Sequence, residues 1–388
     1  MAAHALLSAS GAHRWLHCSP SVRLEEEIED TTSPYAMEGT FMHELSELYL
    51  HHHLGHIQKA AFNKNLKQMH KSQFYSEEIK TAVDEYVAAV LERINEARSR
   101  CKDPLILIEE RLDYSPWVRD GFGTGDVVIV TDDVLEVIDL KGGKGVAVSA
   151  VGNPQARLYA LGAINTFGVL YDIKVVRMTI IQPRLDNIST DEMEVKDLIK
   201  WSEEVVRPRA EAAFKGEGDF KPGEHCRFCK VKATCRARHD ENMRLACMDF
   251  KEPALLTDEE ITEVLLQVQE FKKWATDVES YAFEKARCGK TWPGMKLVEG
   301  RATRKYISEK EVAEKLLNAG YPEERIYCKS LLSLTKLEKE LGKKEFSQII
   351  GDLIKKPPGK LRLVPEDDKR PAVKSSAEID FEKQFIKE

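Results

Sequence analysis

The sequence predicts an α/β fold: a mixed central sheet flanked by helices, with a helical and partly extended C-terminal region. Two observations carry this. The segments run as helices, three successive strands, then helix, strand and helix, an order that builds one sheet between helical layers. The strand segments are rich in Val and Ile, as in "DVVIV" and "VLEVI", which suits a pleated, largely buried surface.

In chain order, residues 38–54, "EGTFMHELSELYLHHHL", place Phe41, Leu45, Leu48 and Tyr49 at helical spacing. Residues 75–98 form a second helical stretch. "PLILIEERLDY" (104–114) alternates as a strand does, and "GTGDVVIVTDDVLEVIDLKGGKG" (123–145) holds two short strands joined at Thr131-Asp132-Asp133. Residues 153–168 are helical, residues 173–183 form a strand ended by Pro183, and a helix follows over 192–214. Beyond lie a cysteine-rich turn at 222–239, a charged helix at 257–287, and the Pro-, Gly- and charge-rich "KKPPGKLRLVPEDDKRPAVK". The expected divisions are 1–250, a helical segment 251–288, and an accessory region 289–388.

The bulk properties exclude several classes. At 388 residues, 42% hydrophobic and 32% charged, the composition is that of a globular chain. No apolar run approaches the roughly 18 residues of a membrane helix. The N-terminus lacks a basic segment ahead of its short apolar run, so the expectation is a cytoplasmic protein without a secretory signal. Its eight cysteines are then thiols or metal ligands, not a disulfide framework. The net charge of −7 is uneven: residues 289–388 hold 22 Lys+Arg against 17 Asp+Glu, leaving 36 against 48 in residues 1–288. An acidic body can still meet a polyanion where bound cations invert the local electrostatics.

The two central strands carry charges that their folding does not need. Asp126 lies just inside the first and Asp139 ends the second, with Lys141 two residues on. Carboxylates on neighbouring strands can share a hard divalent cation such as Mg²⁺ or Mn²⁺. Such an ion polarises a phosphoryl oxygen and lowers the pKa of a bound water. Residues i and i+2 of a strand share a face, so Lys141 can serve the same phosphate. Taken alone, D-x-K is more often a strand-end acid followed by a solvated lysine. The glycines before Asp126 (Gly121, Gly123, Gly125), His43 within "GTFMHE", and Gln155 and Tyr159 at i, i+4 in "NPQARLYALG" add weight.

The ordered set Gly39-Thr40-x-x-His43, Gly125-Asp126, Asp139-Leu140-Lys141, Gln155-x-x-x-Tyr159 resembles the RecB-like branch of the PD-(D/E)XK nuclease superfamily, over roughly residues 8–240. The resemblance implies a PD-(D/E)XK core. It also implies that His43, Asp126 and Asp139, with the Leu140 carbonyl, hold a catalytic Mg²⁺ or Mn²⁺, and that Lys141 acts on the attacking water or the charged transition state. Gln155 and Tyr159 would orient the site and contact the DNA backbone. The third motif carries Asp139 where many members of the branch have Glu.

"CRFCKVKATC" sets out Cys226-x2-Cys229-x5-Cys235, a spacing that suits a metal better than buried thiols among Arg227, Lys230, Lys232 and Arg236. The fourth ligand decides the metal. His239 would complete a Cys3His zinc site; a distant cysteine would complete a 4Fe–4S cluster. Iron–sulfur members of the RecB-like branch, the AddB-type and CRISPR-associated relatives, have one cysteine ahead of the nuclease motifs and three after. That resemblance implies Cys18 as the fourth ligand, with zinc as the alternative cofactor. Cys101, Cys247, Cys288 and Cys328 have no partner at ligand spacing. The run His51, His52, His53, His56 reads as a solvated helix end, where histidines suit the dipole.

The functional expectation is a metal-dependent DNA exonuclease. The whole-chain layout looks like a phage-associated nuclease family, which implies a role in phage or prophage recombination or end processing. A structure-specific or nonspecific endonuclease, and a catalytically silent nucleic-acid-binding adaptor, are the alternatives. There is no G-x-x-x-x-G-K-[ST] loop, so any unwinding would fall to a helicase or recombination partner. Lys355, Lys356, Lys360, Arg362, Lys369 and Arg370 surround Pro357-Pro358-Gly359, either as a solvated tail or as a clamp on DNA phosphates.

Overall fold

The computed structural model describes residues 5–26, 28, 34–246 and 257–295, with isolated helical positions between 314 and 348. The chain forms two compact units, Met1–Phe283 and Glu284–Glu388. The basic residues from Lys355 to Arg370, together with Cys247 and Cys328, lie outside the described residues, as does most of the expected accessory region.

Five helices precede the sheet: α1 (Ala12–Trp15), α2 (Ser21–Glu25), α3 (Pro34–His53), α4 (Lys59–Met69) and α5 (Glu77–Arg100). The sheet comprises β1 (Leu105–Asp113), β2 (Phe122–Val130), β3 (Val134–Leu140), β4 (Val175–Gln182) and β5 (Asn187–Glu194), hydrogen-bonded in that order. Only β3 and β4 run parallel; the other neighbours are antiparallel. Parallel neighbours need a crossover, and α6 (Pro154–Phe167) supplies it. α6 starts where Asn153 accepts the backbone N–H groups of Gln155 and Ala156, with Pro154 in the first turn. The molecule is thus a mixed α/β fold with a five-stranded mixed sheet flanked by helices. Among the described residues, no helix is long and apolar enough to cross a membrane.

Two hydrophobic cores cover the two sheet faces. One packs α6 and the N-terminal Leu7, Ala12 and Trp15 against Val128, Val130, Leu135 and Val137. The other packs α3 and α5, through Met42, Leu45, Val83, Tyr86 and Val90, against Val127, Ile129, Ile138 and Leu140. The helix expected over 192–214 starts later, because residues 187–194 form the edge strand β5. Its run is α7 (Val195–Trp201), one π turn at Ser202–Val206, and α8 (Arg207–Lys215), which ends at Gly216 in the left-handed conformation. After the cysteine-rich turn come α9 (Arg236–Ala246) and α10 (Asp258–Arg287). Arg238, 2% exposed, anchors α10 by pairing with Glu270 and Asp277.

Candidate functional site

The β2–β3 register pairs Val127 with Ile138, so the next step along it sets Asp126 opposite Asp139. The β1–β2 register pairs Ile108 with Val127 and Glu110 with Gly125, which sets Glu109 opposite Asp126. Three carboxylates therefore lie in one row across three adjacent strands. Asp126 is not near a strand end, as the sequence suggests, but midway along β2.

β1 and β2 lose their alternation at this row. Ile106 and Ile108 pack on the α3–α5 side, yet Leu112, of the same parity, belongs to the α6 core. Val127 and Ile129 also pack on the α3–α5 side, whereas a Cβ at Gly123 or Gly125 would point at Tyr159 or Leu112 of the α6 core. The strands exchange faces there, and Glu109 takes a φ of 52° to make the turn. The glycines ahead of Asp126 are explained by packing and not by a metal. A Cβ at Gly121, Gly123 or Gly125 would lie 2.6 to 2.7 Å from Tyr114, Tyr159 and Leu112 respectively.

On one side of the row, His43 of α3 faces Asp126, with Nδ1 3.0 Å from Oδ1. The second Asp126 oxygen accepts the Leu140 backbone N–H at 2.6 Å. Burial acts to lower the His43 pKa, but the Asp126 hydrogen bond and the charges of Asp126, Asp139 and Glu109 outweigh it and raise it. Ligand atoms of His43, Glu109 and Asp126 lie within 4.8 Å of one another, a geometry able to hold a metal ion. Glu109 was not singled out in the sequence. Burial, then the Asp126 charge, pushes its carboxyl up to about 7.

On the other side, Asp139 (6% exposed) faces α6. The Lys141 ammonium lies 2.9 Å from Asp139 Oδ2 and donates to Gln155 Oε1 at 2.9 Å. Gln155 Nε2 donates to Asp139 Oδ1 at 3.4 Å and to the Tyr159 hydroxyl at 3.2 Å. Burial raises the Asp139 pKa, with Lys141 opposing and Asp126 reinforcing. Burial, then the charge of Asp139, also raises that of Tyr159. The loop after Lys141 is fixed at both ends. Gln182 donates to the Gly143 and Val146 carbonyls, and Arg184, paired with Glu38 and Glu78, donates to the Gly142 carbonyl. The catalytic candidates read from the sequence thus fall into two neighbouring groups: His43, Asp126 and Leu140 on the α3–α5 side, and Asp139, Lys141, Gln155 and Tyr159 on the α6 side.

A second cavity lies away from this row. Cys18, Cys226, Cys229 and Cys235 all line it, together with Arg14 and Arg238. Cys18 follows α1, and the other three come from the turn ahead of α9, where Glu224–Phe228 form a 3-10 helix. Burial raises the Cys226 thiol and pushes Cys229 up to about 12 in the metal-free chain. Four sulfur donors beside two guanidinium groups suit a metal group that binds thiolates. His239 is not in that lining: its Nδ1 pairs with Asp240 at 2.8 Å and its ring meets the edge of Trp274. At the end of α3, His51 and His56 face each other with Nδ1 atoms 3.0 Å apart.

Fold and site together define a mixed α/β protein with a His/Glu/Asp group, shared by α3 and the sheet, that is able to hold a metal ion. Residues 4–371 match the family described as "Protein of unknown function (DUF2800)", and the chain belongs to that family. A solved structure titled "Crystal structure of SSO0001" is similar over 51% of this chain and 96% of its own, at 15% identity and a TM-score of 0.24.

Proposed function

We propose that the chain is a metal-dependent deoxyribonuclease with a PD-(D/E)XK core, acting on linear DNA from its ends. The observation that carries this reading is the position of Lys141, held between Asp139 and Gln155 beside a row of carboxylates that includes Asp126. A lysine that served only solvation would not be tied to a buried acid and a helix side chain at once.

His43, Asp126, Asp139 and the Leu140 carbonyl are the residues that would hold Mg²⁺ or Mn²⁺. When bound, the ion would polarise a phosphoryl oxygen and lower the pKa of a water. The chain's own groups do the rest. Lys141 places a positive charge where negative charge develops on the phosphorane oxygens. Gln155 fixes that ammonium and the Asp139 carboxylate, and Tyr159 fixes Gln155. The Leu140 N–H and His43 orient Asp126. Asn153 caps the start of α6, so the Gln155 side chain stands on a rigid element.

The four cysteines of the second cavity would hold a 4Fe–4S cluster, with zinc as the alternative; the shared lining of Cys18 with the other three supports the cluster. Its role would be structural, closing a long loop whose entropy opposes folding. A place in phage or prophage DNA recombination or end processing, beside a helicase or recombination partner, rests on the sequence resemblance. The test is anaerobically purified protein with end-labelled linear and closed circular DNA, in Mg²⁺ or Mn²⁺. Loss of linear DNA alone supports the exonuclease, and loss of both forms replaces it with an endonuclease. Binding without cleavage overturns the enzyme in favour of an adaptor.

A further inference from the structure

We propose that Glu109 closes a second cation position on the α3–α5 side of the sheet, taking Mn²⁺ together with His43 and Asp126 and without Asp139. It deepens the nuclease reading, since it shares two side chains with the proposed catalytic centre. The geometry does not depend on that reading.

Glu109 and Asp126 lie between the paired positions Ile108–Val127 and Glu110–Gly125, with ligand oxygens within 4.8 Å, and two like charges so close repel. Glu109 is also one of few non-glycine residues here with positive φ, a conformation that persists only where its surroundings enforce it. The pair gains from a cation between them, and His43 supplies a nitrogen ligand within 4.8 Å of both.

Independent support comes from two hydroxyls. Ser46 and Tyr86 line the same cavity as His43, Glu109 and Asp126, at 3% and 1% exposure. Neither Oγ of Ser46 nor the Tyr86 hydroxyl has a hydrogen-bond partner. Buried hydroxyls without partners are rare in folded chains. The cavity has room for about one water, and a water kept by the cation is what the two hydroxyls would bond. Leu50, Ile108 and Leu140 close the cavity with apolar surface, which strengthens each charge interaction inside it.

Asp139 is turned away from this position. Its oxygens are engaged by Lys141 and Gln155 on the α6 side. One imidazole with two carboxylates favours Mn²⁺ over Mg²⁺, because Mg²⁺ takes nitrogen ligands poorly.

The test is Mn²⁺ titration of the full chain, freed of divalent cations by chelation, with free Mn²⁺ read by electron paramagnetic resonance and no DNA present. Wild type should bind one Mn²⁺ more per chain than Glu109→Gln, and Asp139→Asn should keep that extra ion. Tyr86→Phe, with every ligand intact, should weaken it by about tenfold, the scale for losing an outer partner of a metal site. Equal stoichiometry and affinity in wild type and Glu109→Gln overturns the proposal, and so does loss of the same ion in Asp139→Asn. If Glu109→Gln melts at a lower temperature when metal-free, Tyr86→Phe carries the decision. A chain that binds this ion but leaves DNA intact refutes the nuclease and keeps the site. Cleavage that needs Asp126 and Asp139, with no Mn²⁺ at Glu109, does the reverse.

Discussion

Lys141 Nζ stands 2.9 Å from Asp139 Oδ2, Lys141 following β3 directly with its backbone N–H still bonded to the Ile181 carbonyl of β4. If the ammonium stabilises a developing anion, Lys141→Ala slows DNA cleavage by roughly 10²–10³-fold, the usual scale for one such group. If the proposed nuclease reading holds, Asp126→Ala and Asp139→Ala should each abolish cleavage with circular dichroism unchanged. Rates within twofold of wild type for Lys141→Ala would make it a solvated turn residue.

Gly123 lies under Tyr159: a Cβ there would come within 2.6 Å of the Tyr159 ring. Gly123→Ala should cost about 1–3 kcal/mol in urea unfolding through overpacking. It should also lower activity more than it lowers stability at the assay temperature, because Tyr159 carries Gln155. A variant as stable and active as wild type would show that the ring moves freely.

Burial, then the Asp126 charge, pushes the Glu109 carboxyl up to about 7 from its ordinary 4.5. Between those values the native chain holds more protons than the unfolded one, so stability falls as pH rises through the window. The melting temperature in chelator should therefore decline from about pH 5 to about pH 7, and Glu109→Gln should flatten that decline. A profile identical in the variant would assign the decline to other groups.

Cys18 shares a cavity with Cys226, Cys229 and Cys235. Anaerobic protein should be brown and contain about four irons per chain. Cys18→Ala should lose the metal and soluble yield together, whereas His239→Ala, paired with Asp240 outside the lining, should keep both. Colourless protein with one zinc per chain would remove the cluster.

Much of this was legible in the sequence wherever burial leaves a periodic trace. Phe41 and Leu45 mark α3 because both are buried against α5 and the sheet. His43, Asp126, Asp139 and Gln155 stood out in sequence order because each sits on a regular element, with Lys141 just beyond β3. The edge strand β5 was not legible: no residue of "NISTDEME" is fully buried and its one strongly apolar Ile188 is exposed, so no apolar face announces it. Glu109 was hidden for another reason. In "LIEERLD" it is one charge among several, and only the register with Asp126 and the change of faces single it out. The polar anchors of the loop after Lys141, Gln182 and Arg184, were equally silent, because their partners are backbone carbonyls far along the chain.

The N-terminal segment has a consequence for synthesis. Arg23 donates to the Phe214 carbonyl at 2.7 Å, Glu25 accepts from the Lys230 N–H, and Cys18 waits on cysteines beyond residue 225. Residues 14–25 thus leave the ribosome well before the residues they bond. At about 5–20 residues per second, roughly 10–40 s separate the emergence of α2 from that of its partners. Through that interval Leu7, Ala12 and Trp15, all buried in the finished α6 core, have only part of their packing surface available. Until α6 and α8 emerge, those apolar residues have no finished core to enter.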